Sequence, residues 1–432
     1  MVKELTTEEK YIIGESQELS IGESEGWTFR FFKIFPALKN RNYQLYFVGQ
    51  LVSLIGTWLQ IVAQGWLVLQ LTNSAFLIGL VAAISASPTI IFSLFGGVVI
   101  DRFSKKKILF FTQFFSMILA LVLGILTVFH IVTVMEIMIL AFILGIVNAI
   151  DIPARQAYAV ELVDRKDLPS AIALNAGIFN GARVIGPGIA GFLIALIGAG
   201  GAFIVNGLSF GAIMIVLIFI HTKAVLPKEH PHPLKAIKEG ISYSFSHETV
   251  RTLLVFAAVL SIFGWSFMTI MPVIAKNTFH MDATGLGYLY AASGIGALIA
   301  AVIVSAFGNR MSPVLSIIGG NVLFAVTIFI FTLTRDLPVA LFFLLLSGIG
   351  LFLEFSMMNT VIQHLIEDEY RGRVMSIYTI MFLGLSPLGN LEIGFFSEHF
   401  GTDFAIRLGA SVIFLFGFLV FLSRKKILRH IQ

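Results

Sequence analysis

From residue 44 onward the sequence is a succession of long apolar runs, each broken by a short cluster of polar and charged residues. A helix needs about 20 apolar residues to cross the hydrocarbon core of a bilayer. Twelve runs meet that length, at 44–70, 76–100, 107–130, 135–158, 168–196, 201–221, 251–275, 283–307, 312–334, 338–365, 371–397 and 402–423. The pattern predicts an all-α membrane protein of twelve transmembrane helices. The longest break, Thr222 to Thr249, divides the spans six and six. The predicted organisation is therefore a tail at 1–43, a six-helix bundle at 44–221, a cytoplasmic linker at 222–250, a second bundle at 251–424 and a tail at 425–432.

Composition sharpens this picture. Hydrophobic residues make up 57% of the chain and charged residues 12%, against about 25% charged in soluble domains. There are no cysteines, which excludes disulfides and thiolate metal sites. The formal charge of +4 is small and no basic cluster is interleaved with aromatics, so nucleic acid is not an expected partner. Residues 1–26 hold seven Glu and two Lys and no apolar core, which predicts a mobile cytosolic tail rather than a signal peptide. Trp27 to Tyr43 mixes aromatics with Arg30, Lys33, Lys39 and Arg41 and reads as an interfacial amphipathic segment.

Lys and Arg mark the cytoplasmic loops of membrane proteins. One set of loops carries Arg102 with Lys105–Lys107, Arg165 with Lys166, the central linker, Arg310, Arg371 with Arg373, and Arg424 to Arg429. The opposite loops carry Lys276 and Arg335. Both termini are expected in the cytoplasm, which an even number of spans requires.

The two halves repeat. A shift of 208 maps Ser53 onto Ser261, Gly56 onto Gly264, Gly79 onto Gly287, Ser85 onto Ser293 and Arg102 onto Arg310, while Asp101 falls on Asn309. Duplicated halves are typical of secondary transporters, with the substrate site near mid-membrane between them.

The loop after the second span reads Gly97-Val-Val-Ile-Asp101-Arg102-Phe-Ser104-Lys105-Lys106-Lys107. It resembles the loop signature of the major facilitator superfamily, Gly-x-x-x-Asp-Arg-x-Gly-x-basic-basic, with Ser104 at the second Gly. The fifth span carries Gly186-Pro187-Gly188-Ile-Ala190-Gly191, similar to the Gly-Pro-x-x-Gly-Gly signature of its exporter branch. The stretches "DIPARQA" and "EYRGRVMSIYTIMFLG" are similar to a bacterial subgroup of enterobactin exporters and macrolide-efflux transporters. The resemblance covers about 37–425. It implies two pseudo-symmetric bundles, location in the bacterial inner membrane, and a gating role for Asp101 and Arg102.

Several polar positions inside the spans are candidates for function. Gln50, Ser53, Thr57, Gln60 and Gln64 fall on one face of the first span. Three Gln on one face do not suit lipid, so the stripe either lines a cavity or bonds to neighbouring helices. The equivalent face of the seventh span holds Ala258, Ser261, Trp265, Met268 and Pro272 and is mostly apolar. An amphiphilic substrate with its polar end towards the N-terminal half would fit that contrast.

Asn148, Asp151 and Arg155 share a face of the fourth span, as an intrahelical pair, a part of the cytoplasmic gate with Asp101 and Arg102, or a proton or substrate site. In the fifth span Asn180, Arg183 and Pro187 share a face, and Pro187 predicts a kink or flexible point. Arg183 lies near mid-membrane, where a cation must be hydrated or paired. It is a candidate for an anionic or carbonyl-rich substrate, or the partner of an acid in another span. Glu354 in the tenth span is a candidate proton carrier, a substrate contact or a structural acid, with Asp151 the other proton candidate. Gly186, Pro187, Arg371 and Arg373 complete the gating set.

No P-loop or enzyme constellation is present, and no cofactor or metal is expected; His230 and His232 sit in a Pro-rich linker. The expected function is secondary active export of a small amphiphilic molecule, siderophore or drug-like, by alternating access with proton antiport. A monomer in the bilayer suffices. A lipid or lysophospholipid transporter and a non-transporting sensor or scaffold are the alternatives.

Overall fold

A computed structural model of the chain describes residues 35–221 and 233–428. The tail up to residue 34, the stretch 222–232 with His230 and His232, and 429–432 lie outside the described residues. Among the described residues, ten helical stretches are long and apolar enough to cross a membrane. One of them, Arg165–Phe219, has 55 residues, about 80 Å of helix at 1.5 Å per residue, far more than a single crossing needs. It breaks at Gly198, whose φ of 72° and ψ of 171° no helix accommodates. Counting that stretch as two spans and adding Ala75–Arg102, a 28-residue helix, gives twelve.

The spans are α1 (Arg41–Thr72), α2 (Ala75–Arg102), α3 (Lys105–Val128), α4 (Val134–Glu161), α5 (168–197), α6 (199–219), α7 (Glu248–Thr278), α8 (Ala283–Phe307), α9 (Pro313–Phe331), α10 (Leu337–Leu365), α11 (Tyr370–Phe400) and α12 (Thr402–Leu428). The predicted linker, 222–250, holds a helix at Pro233–Ser246, and α7 begins at Glu248. Local chemistry sets several starts. Asn40 caps α1 by accepting from the amides of Asn42 and Tyr43, Asp282 caps α8 in the same way, and Thr133 with Glu136 forms a capping box on α4. Pro187, expected to kink α5, sits in continuous helix; the non-helical residue is Gly198, eleven positions on. Proline removes one donor but its φ is helical, whereas the Gly198 backbone conformation is not.

Each half packs mainly within itself, α1 against α5 and α6 in the first and α10 against α8 and α9 in the second. The halves meet along two seams, α2 with α11 and α5 with α8. Both depend on close approach of backbones. A Cβ on Gly191 of α5 would stand 2.2 Å from the Cα of Gly287 on α8, and a Cβ on Gly79 of α2 would stand 2.2 Å from the Asn390 carbonyl on α11. Gly79 and Gly287 are the pair that the 208-residue shift superposes, so the repeat has a packing cause.

Two spans are irregular where they face the first half. Residues Leu260–Gly264 of α7 form a π turn, followed by a 3-10 stretch at Trp265–Ile270, and Ile380–Gly384 of α11 form another π turn. Such turns expose carbonyls and collect at functional sites. The Ser261 hydroxyl donates to the carbonyl of Phe382 at 2.5 Å and so ties one irregular turn to the other.

Candidate functional site

The irregular turns place Trp265 and Phe382 against Arg183, which reaches across the seam from α5. The guanidinium carbon lies 3.5 Å from the centre of the Trp265 ring, 5.3 Å from Phe382 and 5.6 Å from Phe355 of α10. Trp265 and Phe382 meet edge to face, and Tyr378 stacks on Phe382. Arg183 belongs to none of the three ion pairs among the described residues, Lys105–Glu161, Asp151–Arg155 and Arg335–Asp403. The acid in another span that could have paired with it is replaced by aromatic faces, which attract cations through their quadrupoles.

The seam around this cluster is tight on one side and open on the other. Towards the end that carries the α1–α2 turn, here the distal end, Gly188, Gly191 and Gly294 fit against α8 or α5 with no space for a side chain. Towards the opposite, Lys- and Arg-rich end, a Cβ on Gly181 or Gly177 would meet nothing within 4 Å. Asn180, between them, returns its amide to the carbonyl of Ala176. On α11, Ser376, Thr379 and Ile380 are exposed on the same side. Arg183 therefore sits where the closed part of the seam gives way to the open part.

The polar stripe of α1 is engaged elsewhere. Gln50 donates to Asn175 of α5 at 3.1 Å, and Gln60 accepts from Asn206 of α6 at 2.5 Å. Thr57 returns its hydroxyl to the Ser53 carbonyl, and Gln64 is buried on the same face. Of the two roles open to the stripe, the bonds of Gln50 and Gln60 fulfil the helix-to-helix one. Ser53 belongs to a fully buried cluster: it accepts from Arg155 at 3.2 Å, Arg155 is ion-paired with Asp151, and Asp151 accepts from Thr112 at 2.5 Å and Gln113 at 2.7 Å. Asp151 and Arg155 thus join α1, α3 and α4. Arg102 lies exposed at the end of α2, and the Asp101 side chain is outside the described residues.

Glu354 points away from the seam. It is fully buried, with one carboxyl oxygen accepting from Asn321 of α9 at 3.3 Å and the other without a partner among the described residues. Its neighbour Phe355 faces Arg183, so α10 carries the acid on one side and a wall of the seam on the other. Met268 is half-buried beside Trp265, and its carbonyl accepts from Tyr290. Gly186 is pressed on Trp58 of α1, and Pro187 is buried beside it. Arg371 is exposed, and Arg373 packs over Tyr370, which stacks on Tyr243 of the linker helix at 4.3 Å. That places both arginines where α11 meets the linker.

Sequence reasoning missed Phe355, Phe382 and Asn321, and it missed a carboxylate at the distal end. Glu398 of α11 accepts from the amides of Ala75 and Phe76 at 2.7 and 3.2 Å and from the Ser74 hydroxyl at 3.1 Å. It caps the first turn of α2 from the other half. Ser74 just before an apolar run signals a helix start, but only the fold supplies the acceptor.

A family model described as transmembrane secretion effector matches residues 33–430. The chain belongs to that family, a branch of the major facilitator superfamily. It is thus a multi-pass bacterial membrane transporter. It is 25% identical to the staphyloferrin A transporter of Staphylococcus aureus (strain NCTC 8325 / PS 47), over 88% of this chain and 96% of that protein. Macrolide efflux protein A of Streptococcus pyogenes is 23% identical over 87% of this chain and 95% of its own length. The enterobactin exporter of Shigella boydii serotype 4 is 24% identical over 63% of this chain and 65% of its length. All three are transporters rather than enzymes. Among solved structures, a bacterial homologue of the lysosomal transporter Spinster, inward-facing and unoccupied, superposes with a TM-score of 0.71 at 13% identity, covering 90% of this chain and 97% of that one. A peptide transporter in complex with sulfate gives 0.72 at 11% identity over 90% and 96%. These two show the fold alone.

Proposed function

We propose that this secretion-family transporter exports a small organic compound, siderophore or drug-like, from the cytoplasm by alternating access. The observation that carries the reading is a polar and aromatic cluster on the seam between two repeated halves, open towards one end and shut towards the other. The Lys and Arg bias assigns the open end to the cytoplasm. On that assignment the described state is the one that loads cytosolic substrate, and export follows when the basic end closes and the distal glycine contacts part. The names of the relatives support a siderophore or drug as cargo.

Proton influx is the proposed drive. Glu354 is the proposed carrier: a fully buried acid bonded by Asn321 through one oxygen, one residue from Phe355, can report its charge to the seam as the halves move. Asp151, paired with Arg155 and held by two further polar side chains, Thr112 and Gln113, is the weaker candidate. The test is accumulation of a macrolide and of a siderophore in whole cells producing the chain. Export abolished by a protonophore, and uncoupled from the proton gradient by Glu354→Gln, is the expected result. Accumulation that ignores the protonophore refutes proton drive, and unchanged coupling in Glu354→Gln removes Glu354 as its carrier.

A further inference from the structure

Among the described residues, three arginines inside the spans or at their distal ends are satisfied by polar protein groups. Arg155 has Asp151, Arg335 has Asp403, and Arg407 donates to the hydroxyl and carbonyl of Thr332. Arg183 has three aromatic rings and, among the described residues, no ion pair. Cation–π attraction offsets only part of the cost of taking a guanidinium out of water. The remainder calls for an anion, and the open stretch of α5 beside Gly181 and Gly177 offers it a way in.

Geometry narrows the kind of anion. At 3.5 Å from the ring centre the planar guanidinium can only lie face-on against Trp265. Its face is then occupied, and its N–H donors point outward in the plane, as a fork that matches the two oxygens of a carboxylate. Phe382 and Phe355, their ring centres 4.7 Å apart, form one continuous aromatic wall beside that fork, so the group bearing the carboxylate meets aromatic surface. Every element contributes something the others lack: α5 the charge, α7 the ring it rests on, α10 and α11 the adjoining wall.

We propose that Arg183 is the anchor for a carboxylate of the transported compound, with Trp265 holding its guanidinium flat and Phe355 and Phe382 receiving the adjoining planar part. This deepens the export reading and rests on it. It also revises where the polar end of an amphiphilic cargo would go, from the glutamine stripe of α1 to one cation of α5.

The full chain in phosphatidylcholine nanodiscs can be titrated calorimetrically with benzoate and with benzamide, its neutral isostere. Saturable binding of benzoate, none of benzamide at the same concentrations, at least tenfold weaker benzoate binding in Arg183→Gln and an intermediate value in Arg183→Lys are the expected results. Equal binding of benzamide, or no binding of benzoate, overturns the proposal in the wild-type chain, so it stays testable if Arg183→Gln does not fold. Unchanged benzoate affinity in a folded Arg183→Gln overturns it as well. Phosphatidylglycerol in the nanodisc displacing benzoate would make the anion a lipid headgroup and also overturn it. Protonophore-sensitive export of an uncharged compound, measured alongside, would keep the export reading standing if the carboxylate assignment failed.

Discussion

Glu398 should hold the distal end shut, and the strength of that hold can be worked from its contacts. Its carboxylate spans the α2–α11 seam and accepts two amides and one hydroxyl of the first turn of α2. These bonds exist only while the distal end is closed, so their whole value biases that state. A hydrogen bond to a charged group contributes about 1.5–3 kcal/mol, and an exposed charge at a helix N-terminus about 0.3–1 kcal/mol. Glu398 is exposed, so the lower bound applies, about 1.5 kcal/mol in all. Glu398→Ala should then raise the ratio of distally open to distally closed protein by roughly tenfold, at about 1.4 kcal/mol per decade. Glu398→Gln, which keeps one acceptor and loses the charge, should fall between. The neighbouring Lys276–Asn73 contact is a single exposed bond at 3.2 Å, and Lys276→Ala should change the ratio by less than half as much in free energy. The absence of cysteine makes the assay direct. Ile131→Cys and Leu333→Cys, exposed at the distal ends of the two halves, carry spin labels whose distance distribution separates the states. An unchanged distribution in Glu398→Ala, or a larger shift from Lys276→Ala, would refute the reasoning.

Two further perturbations address the interior of each half. Asp151→Asn leaves Arg155 buried without its counter-charge and should destabilise the first bundle by about 3–5 kcal/mol, seen as a lower thermal midpoint in detergent; the double change Asp151→Leu with Arg155→Met should cost less than the sum of the single ones, and strict additivity would count against a coupled pair. In the second bundle, a Cβ at residue 417 would lie 1.9 Å from the Asn321 side-chain oxygen. Gly417→Ala should therefore displace Asn321 from Glu354 and reproduce the transport phenotype of Asn321→Ala, with Asn321→Ser in the same chain relieving it; wild-type coupling in Gly417→Ala would show that the Asn321–Glu354 bond is not needed.

Much of the scaffold was legible because membrane helices announce themselves by length and hydropathy. The twelve spans, including the break between 168–196 and 201–221, needed nothing more. That the break is one non-helical residue, Gly198, is a backbone detail that no periodicity records. Interior polar residues were legible as a set, and Asp151 with Arg155 as a pair by its spacing, but partners on other helices were not. Gln60 reads the same whether it faces a cavity or Asn206, since both surroundings exclude lipid. The aromatic walls were not legible at all. Phe382 and Phe355 are two of 42 phenylalanines, and only the π turn at Ile380–Gly384 gives Phe382 its orientation.

The internal repeat bears on mechanism more through what it keeps than through what it changes. Gly79 and Gly287 are equivalent by sequence and occupy equivalent seams, α2 on α11 and α5 on α8. A movement that parts one seam at the distal end must part the other, because each is a backbone-to-backbone contact that tolerates no inserted side chain. Ser53 and Ser261 are equivalent too, and each ties its helix to the interior of its own half, Ser53 to Arg155 and Ser261 to the Phe382 carbonyl. The symmetric positions thus serve closure and bundle integrity. The position that breaks the symmetry is Arg183, with no cation at its counterpart on α11 among the residues facing it. On the proposed binding of an anion to Arg183, a lopsided charge between seams that act alike would let a single anionic group sense the closing of the basic end through one contact while both seams respond together.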